Sequence, residues 1–365
     1  MKNNTPARRW VLGLMSGTSC DGLTICAVQP EPFHIKAFQN YPYPKALQQR
    51  LLHAAELRAP QLSALHFELG QRYARQVQRF LKEHKLNKNS ILCAGMHGQT
   101  VYHGPQDPVP NTLQIAEPAF LAEWLGRPVV SQFRTRDMAL GGQGAPLIPF
   151  FDEYIFGQGA PEILLNLGGI ANLSVVGKQV KTFGFDCGPA NTLMDLACVQ
   201  FLHKPYDKNG ACAARGHADI ARVRRLLKQT FFHQKPPKSL DKNAFGVAYL
   251  RRYFGDMSSV PDLLATLNLF TAAAVAQAVR CFVPVKYQKE IIVSGGGAFN
   301  ATLLQNIQQL TGLPVCTSAQ RGIDPQAKEA AAFALMAWRA WQGKSNHCAR
   351  ATGARKNTIL GQLTL

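Results

Sequence analysis

The sequence is short of negative charge. Its 365 residues carry 40 Lys and Arg against 22 Asp and Glu, a formal net charge of +18. A balance of that sign suits polyanionic partners such as nucleotides, nucleic acid or an anionic surface. Long apolar runs are also lacking. No stretch reaches the ~18–20 consecutive apolar residues expected of a membrane-spanning helix. Arg8 and Arg9 precede an apolar run, but Trp10 to Met15 has only a strand's length before Ser16, Gly17 and Thr18. That is too short for the apolar core of a signal peptide. The nine cysteines are odd in number and include no Cys-x-x-Cys pair, which argues against a disulfide framework and a zinc ribbon. This usage points to a reducing, cytoplasmic compartment, with Cys26, Cys198 and Cys281 as core fillers in apolar runs. No Gly-Lys-Ser/Thr is present, so there is no Walker A loop.

What is there reads as two α/β domains, the natural expectation at this length. Trp10–Met15, Leu23–Val28, Ile91–Met96, Pro128–Ser131, Glu162–Leu167, Leu173–Val176 and Glu290–Ser294 have the length and apolarity of strands. Helical stretches are expected at 62–85, Phe120–Leu125, Asp262–Cys281, Ala301–Leu310 and Ala327–Trp341. Over 62–85 the apolar Leu62, Leu65, Leu69, Tyr73, Val77 and Phe80 share one face, and Arg72, Arg75, Arg79 and Lys82 stripe the opposite one. Such a stripe reads as a solvated face rather than a nucleic-acid surface. Gly141, Gly142, Gly144 and Pro146 make a glycine-rich joint. It divides the chain into a domain at 1–140 and another at 141–365, whose last helix could pack back on the first. A strand, a glycine turn and a second strand occur twice, about 150 residues apart, a weak supersecondary repeat.

Three glycine-rich turns follow apolar strands: Ser16–Gly22, Gly168–Asn172 and Ser294–Asn300. Glycine lets successive backbone N–H groups approach an anion. The first turn adds the hydroxyls of Ser16, Thr18 and Ser19, suited to phosphate oxygens. It also adds the Asp21 carboxylate, which can hold Mg²⁺ directly or through water. Together the three suggest a nucleotide held between two domains. Asp186 follows Phe183–Phe185 and precedes Gly188-Pro189, the context of a carboxylate at a strand end that can act as a general base. A turn or cap role is the plainer alternative.

GLMSGTSCDG resembles the first phosphate loop of anhydro-N-acetylmuramic acid kinases, members of the sugar kinase, Hsp70 and actin superfamily. The likeness continues through HGQT (His97–Thr100), TLQIAEPA (Thr112–Ala119), FRTRDMALGGQGAPL (Phe133–Leu147) and NLGGIANL (Asn166–Leu173). It resumes at FDCGPANTLMD (Phe185–Asp195), PPKS (Pro236–Ser239), SGGGAFN, AKEAAAFALMAW (Ala327–Trp338) and ATGA (Ala351–Ala354). The resemblance implies two ribonuclease-H-like domains around a nucleotide cleft, ATP and Mg²⁺ as cofactors, and a homodimer. It implies a small amino sugar as substrate, with neither nucleic acid nor membrane as partner.

By the same resemblance Asp186 activates a water that attacks the anomeric carbon and opens the 1,6-anhydro bridge, while the freed O6 takes the γ-phosphoryl of ATP. The product is N-acetylmuramic acid 6-phosphate, in peptidoglycan recycling. Glu329 is the second carboxylate expected at an anomeric centre, although a first-turn glutamate also favours a helix dipole. Gly17, Thr18, Ser19, Cys20, Asp21, Gly22, Gly168, Gly169, Gly295, Gly296, Gly297 and Asn300 are the expected nucleotide contacts, with Asp21 toward the metal. His97, Gln99, Thr100, Arg134 and Asp137 are the expected sugar site, Arg134 offering a planar fork to the lactyl carboxylate. His97 and His103 are too isolated from other ligand types for a metal site. The chain departs from the family's usual residues at Cys20, Thr24, Gln132, Cys187, Ala190, Leu240 to Asn243, and Cys348 to Arg350. Two other readings use the same residues: a hydroxyl kinase of an intact amino sugar, and a non-catalytic polyanion binder.

Overall fold

A computed structural model describes residues 9–240 and 244–365. They divide into two compact units, one of residues 9–151, 327–349 and 353–365, the other of residues 152–326 and 350–352. The expected boundary at 140 therefore moves to 151, and the chain from 327 joins the first unit almost entirely.

Among the described residues the first unit holds one seven-stranded sheet. Strands β1 (Trp10–Ser16), β2 (Gly22–Gln29) and β3 (His34–Pro42) form an antiparallel meander. On the other side of β1, β4 (Ile91–Gly104) pairs in parallel, then β6 (Val129–Ser131) in parallel with β4. β5 (Asn111–Ile115) pairs antiparallel with β4. The second unit repeats the plan. β7 (Glu162–Leu167), β8 (Ile170–Val176) and β9 (Phe183–Pro189) form the meander. β10 (Ile291–Ser294) pairs in parallel with β7, and β11 (Val315–Thr317) in parallel with β10. The last strand, β12 (Gln362–Thr364), closes the first sheet antiparallel to β6. Three antiparallel strands followed by parallel ones is the ribonuclease-H-like arrangement, present once in each unit.

Why the chain after 326 belongs to the first unit is visible in two glycines. Gly13 on β1 and Gly95 on β4 are register partners. A Cβ on Gly13 would run into the Ala330 carbonyl, and one on Gly95 into the Phe333 carbonyl. The helix Lys328–Trp341 presents Ala330, Ala331, Ala334 and Ala337, all fully buried. Small residues on both partners let the helix backbone lie directly on the strands, where larger side chains would hold it away.

The core of the second unit surrounds the helix Val260–Phe282, capped by Ser259, whose hydroxyl accepts from the Asp262 N–H. By length and composition this helix could cross a membrane, contrary to the sequence expectation, yet 78% of its apolar window is buried inside the protein. Leu263, Leu267, Phe270, Val275 and Val279 pack with β7–β9 in one cluster. Cys281, read from sequence as a core filler, is exposed at its last turn, whereas Cys26 and Cys198 are buried.

Candidate active site

In the first unit the turn between β1 and β2 has two sets of residues. Ser16, Cys20 and Gly22 are buried, while Thr18, Ser19 and Asp21 are exposed. Cys20 adopts a left-handed φ of 53°, and its N–H donates to the Gly17 carbonyl at 3.2 Å. Its side chain is fully buried, with the thiol donating to the Thr18 carbonyl at 3.5 Å, so the backbone is what Cys20 offers a ligand.

The loop is pinned from beneath by a buried polar network. Ser16 Oγ lies 2.6 Å from Gln99 Oε1 and accepts from Tyr43 Oη at 3.0 Å. Tyr43 and Tyr73 share a hydrogen bond of 2.8 Å. Gln99 Nε2 donates to the Gly17 carbonyl at 3.1 Å. Burial pushes both phenols up, Tyr73 to about 12, so the network holds no charge at neutral pH. Gln99 is fully buried, and both ends of its amide serve the loop. It is therefore a support for the first loop.

Two other residues of the expected sugar site also hold neighbouring segments in place. Asp137 is fully buried, with Oδ2 accepting from the Gly144 N–H and Oδ1 from His347 Nε2, each at 2.6 Å. A Cβ on Gly142 would strike its carboxylate. Asp137 thus locks the glycine-rich segment 141–144. His97 donates from Nδ1 to the Gly98 carbonyl at 2.9 Å and accepts at Nε2 from Arg134 Nε at 3.1 Å. Burial and the neighbouring guanidinium hold its pKa down at about 3. A neutral His97 with both nitrogens engaged aims Arg134 and is no metal ligand. Arg134, half-buried, also donates from Nη1 to the Gly144 carbonyl at 2.8 Å. Thr100 Oγ1 accepts from Gln114 Nε2 at 3.4 Å. His97, Gln99 and Thr100 share strand β4, so one element joins the proposed sugar contacts to the first loop. Glu329 lies half-buried in the first turn of the helix Lys328–Trp341.

In the second unit Gly168 and Gly169 form the β7–β8 turn. Their carbonyls accept from the N–H groups of Ala190, Asn191 and Thr192, the start of the helix Asn191–Ala197. Gly295 takes a φ of 80°, and a Cβ there would lie 2.8 Å from both Asn166 Oδ1 and the Leu167 carbonyl. Only glycine fits this approach. Gly296 is exposed and Gly297 buried. Asn300 Oδ1 caps the helix Ala301–Thr311 by accepting from the Leu303 N–H at 3.0 Å, a structural role that sequence did not assign to it.

Asp186 lies within β9, in register with Asn172, rather than at its end. It is 7% exposed. Its N–H donates to the Lys238 carbonyl at 3.0 Å, and Oδ2 accepts from the Leu240 N–H at 2.8 Å. The adjoining Cys187 thiol is pushed well up by burial and stays protonated. Leu240 thus meets Asp186 through its backbone; the departures at Asp241 to Asn243 lie outside the described residues. Lys238 went without a role in the sequence, because PPKS shows neither the pairing to β9 nor the burial.

Among the described residues no group of three or more His, Cys, Asp or Glu could hold a metal ion alone. The donor set at the first loop, two exposed hydroxyls and one exposed carboxylate, fits a cation that arrives already bound to phosphates.

Repeated ribonuclease-H-like units with glycine hairpins at matching places define a two-unit α/β protein of the sugar-kinase class. A family model described as anhydro-N-acetylmuramic acid kinase matches residues 9–365. Curated proteins named anhydro-N-acetylmuramic acid kinase match along their whole length. The Salinibacter ruber protein is 39% identical, covering 98% of this chain and 97% of its own. The Coxiella burnetii protein is 37% identical, with 98% of each chain covered. The Hydrogenovibrio crunogenus protein is 35% identical, again with 98% of each covered. The chain belongs to the anhydro-N-acetylmuramic acid kinase family and is a phosphotransferase with a small sugar as acceptor.

Proposed function

We propose that the enzyme uses Mg-ATP to open and phosphorylate 1,6-anhydro-N-acetylmuramic acid, a step of peptidoglycan recycling. The observation that carries this reading is Asp186: a buried carboxylate with one oxygen fixed by a backbone N–H, in a chain of this family. A carboxylate held in place in this way can act as a general base on a water. Asp186 takes a proton from that water as its oxygen bonds to the anomeric carbon. The bond from that carbon to O6 breaks, and O6 takes the γ-phosphoryl group, leaving ADP. Glu329 is the proposed second carboxylate. Arg134, aimed by His97, receives the lactyl carboxylate bidentately.

Thr18, Ser19 and the backbone of the first loop would hold phosphate oxygens, with Gly168, Gly169 and Gly295–Gly297 completing the nucleotide contacts. Asp21 would hold the Mg²⁺, which neutralises phosphate charge when bound. Phosphoryl transfer needs alignment and charge neutralisation above all, and the pinned loop provides the first of these.

ADP release from Mg-ATP is the test, with the anhydro sugar and intact N-acetylmuramic acid offered separately to wild-type protein and Asp186→Asn. Turnover of the anhydro sugar alone, lost in the variant, is expected. Equal turnover of the intact sugar would make the protein an ordinary hydroxyl kinase, and an active Asp186→Asn would remove the general base.

A further inference from the structure

Lys238 is 1% exposed, a rare place for an ammonium group. Its Nζ lies 4.4 Å from the ring centre of Phe231, 4.7 Å from Phe282 and 5.8 Å from Phe185. It donates to the Phe231 carbonyl at 3.0 Å. Three aromatic faces and one carbonyl make a desolvated cation site, where cation–π attraction is at its strongest. The same residue's backbone carbonyl accepts the Asp186 N–H, and two residues on the Leu240 N–H holds Asp186 Oδ2. Anchor and clamp are thus one three-residue segment. Phe185, one wall of the cage, directly precedes Asp186 on β9.

We propose that Lys238 is a positioning residue for the reaction: its caged ammonium anchors the segment that fixes the Asp186 carboxylate. The proposal rests on the reading of Asp186 as the general base. Burial draws the lysine's own pKa down, while the neighbouring Cys187 thiol, Asp186 carboxylate and Cys281 thiol oppose that change. Those are the titratable groups that act on it from β9 and from the helix Val260–Phe282. From the helix Thr230–His233, His233 turns its Nε2 to the Leu227 carbonyl at 3.0 Å.

Full-length Lys238→Met, Lys238→Arg and Asp186→Asn proteins separate the possibilities by steady-state kinetics with Mg-ATP and the anhydro sugar between pH 5 and 9. In Lys238→Met kcat should fall about tenfold through misplacement of the base. The KM for ATP should stay within about twofold, since uniform binding is untouched. Lys238→Arg keeps a cation for the aromatic cage and should keep most of the wild-type kcat. A Lys238→Met protein with a lowered Tm but unchanged kcat would show a purely structural lysine and overturn the proposal. If Lys238→Met does not fold, Phe231→Leu loosens the cage and keeps the ammonium; an unchanged kcat there overturns it equally. An active Asp186→Asn would sink the general-base reading instead, so the two failures are distinct.

Discussion

Two buried histidines should make the first unit sensitive to mild acid. His97 and His103 are 2% and 7% exposed. Burial first, then the Arg134 charge, brings each pKa down to about 3. In the unfolded chain each takes up a proton near pH 6.5, whereas the folded form resists until about pH 3. The unfolded state thus binds more protons across that window. Stability contributed by the neutral rings is complete above about pH 6.5 and is lost as pH falls toward 3. Between pH 7 and pH 5 the loss is about 2 kcal/mol per histidine, from the linkage relation with an unfolded pKa near 6.5. Urea unfolding at both pH values, read for wild type, His97→Gln and His103→Gln, measures it. Each variant should lose about 2 kcal/mol less than wild type over the same interval. Identical losses in all three proteins would refute the assignment of neutral, desolvated rings.

Gly95→Ala places a methyl against the Phe333 carbonyl and should destabilise the first unit by about 1–3 kcal/mol, the usual range for overpacking, read as a lowered unfolding midpoint. Gln99→Leu removes both amide contacts to the first loop; leaving Ser16 and the Gly17 carbonyl without them should cost about 1–3 kcal/mol. If the loop holds phosphates, the KM for ATP should rise at least tenfold. Asn300→Ala removes the cap of the helix Ala301–Thr311 and should cost about 1 kcal/mol of stability. Asn300→Asp, which still accepts from the Leu303 N–H, should restore most of it by the same denaturation assay.

The sequence by itself determined much of the strand and helix pattern, because apolar runs and glycine turns are local signals, but not β3, β5, β11 or β12, whose pairing alone makes them strands. Trp10–Met15 became β1, Glu162–Leu167 became β7, and Ala327–Trp341 became a helix within one residue. The strand-turn-strand repeat was legible for the same reason. Motifs also carried the family, since HGQT and GGQGAPL need no coordinates to be recognised. Tertiary structure alone decided what each polar side chain faces. Gln99 and Asp137 look like ligand contacts in a motif, yet the fold buries both and turns them to the loops beside them. Lys238 reads as one more surface lysine in a chain of net charge +18, until Phe185, Phe231 and Phe282 close around it from three separate segments. Gly13 and Gly95 stand 82 positions apart, and only their pairing on adjacent strands makes the flat seat that draws the C-terminal helix into the first unit. Hydrophobic periodicity is written along the chain; burial and partnership arise between segments that the chain brings together only on folding.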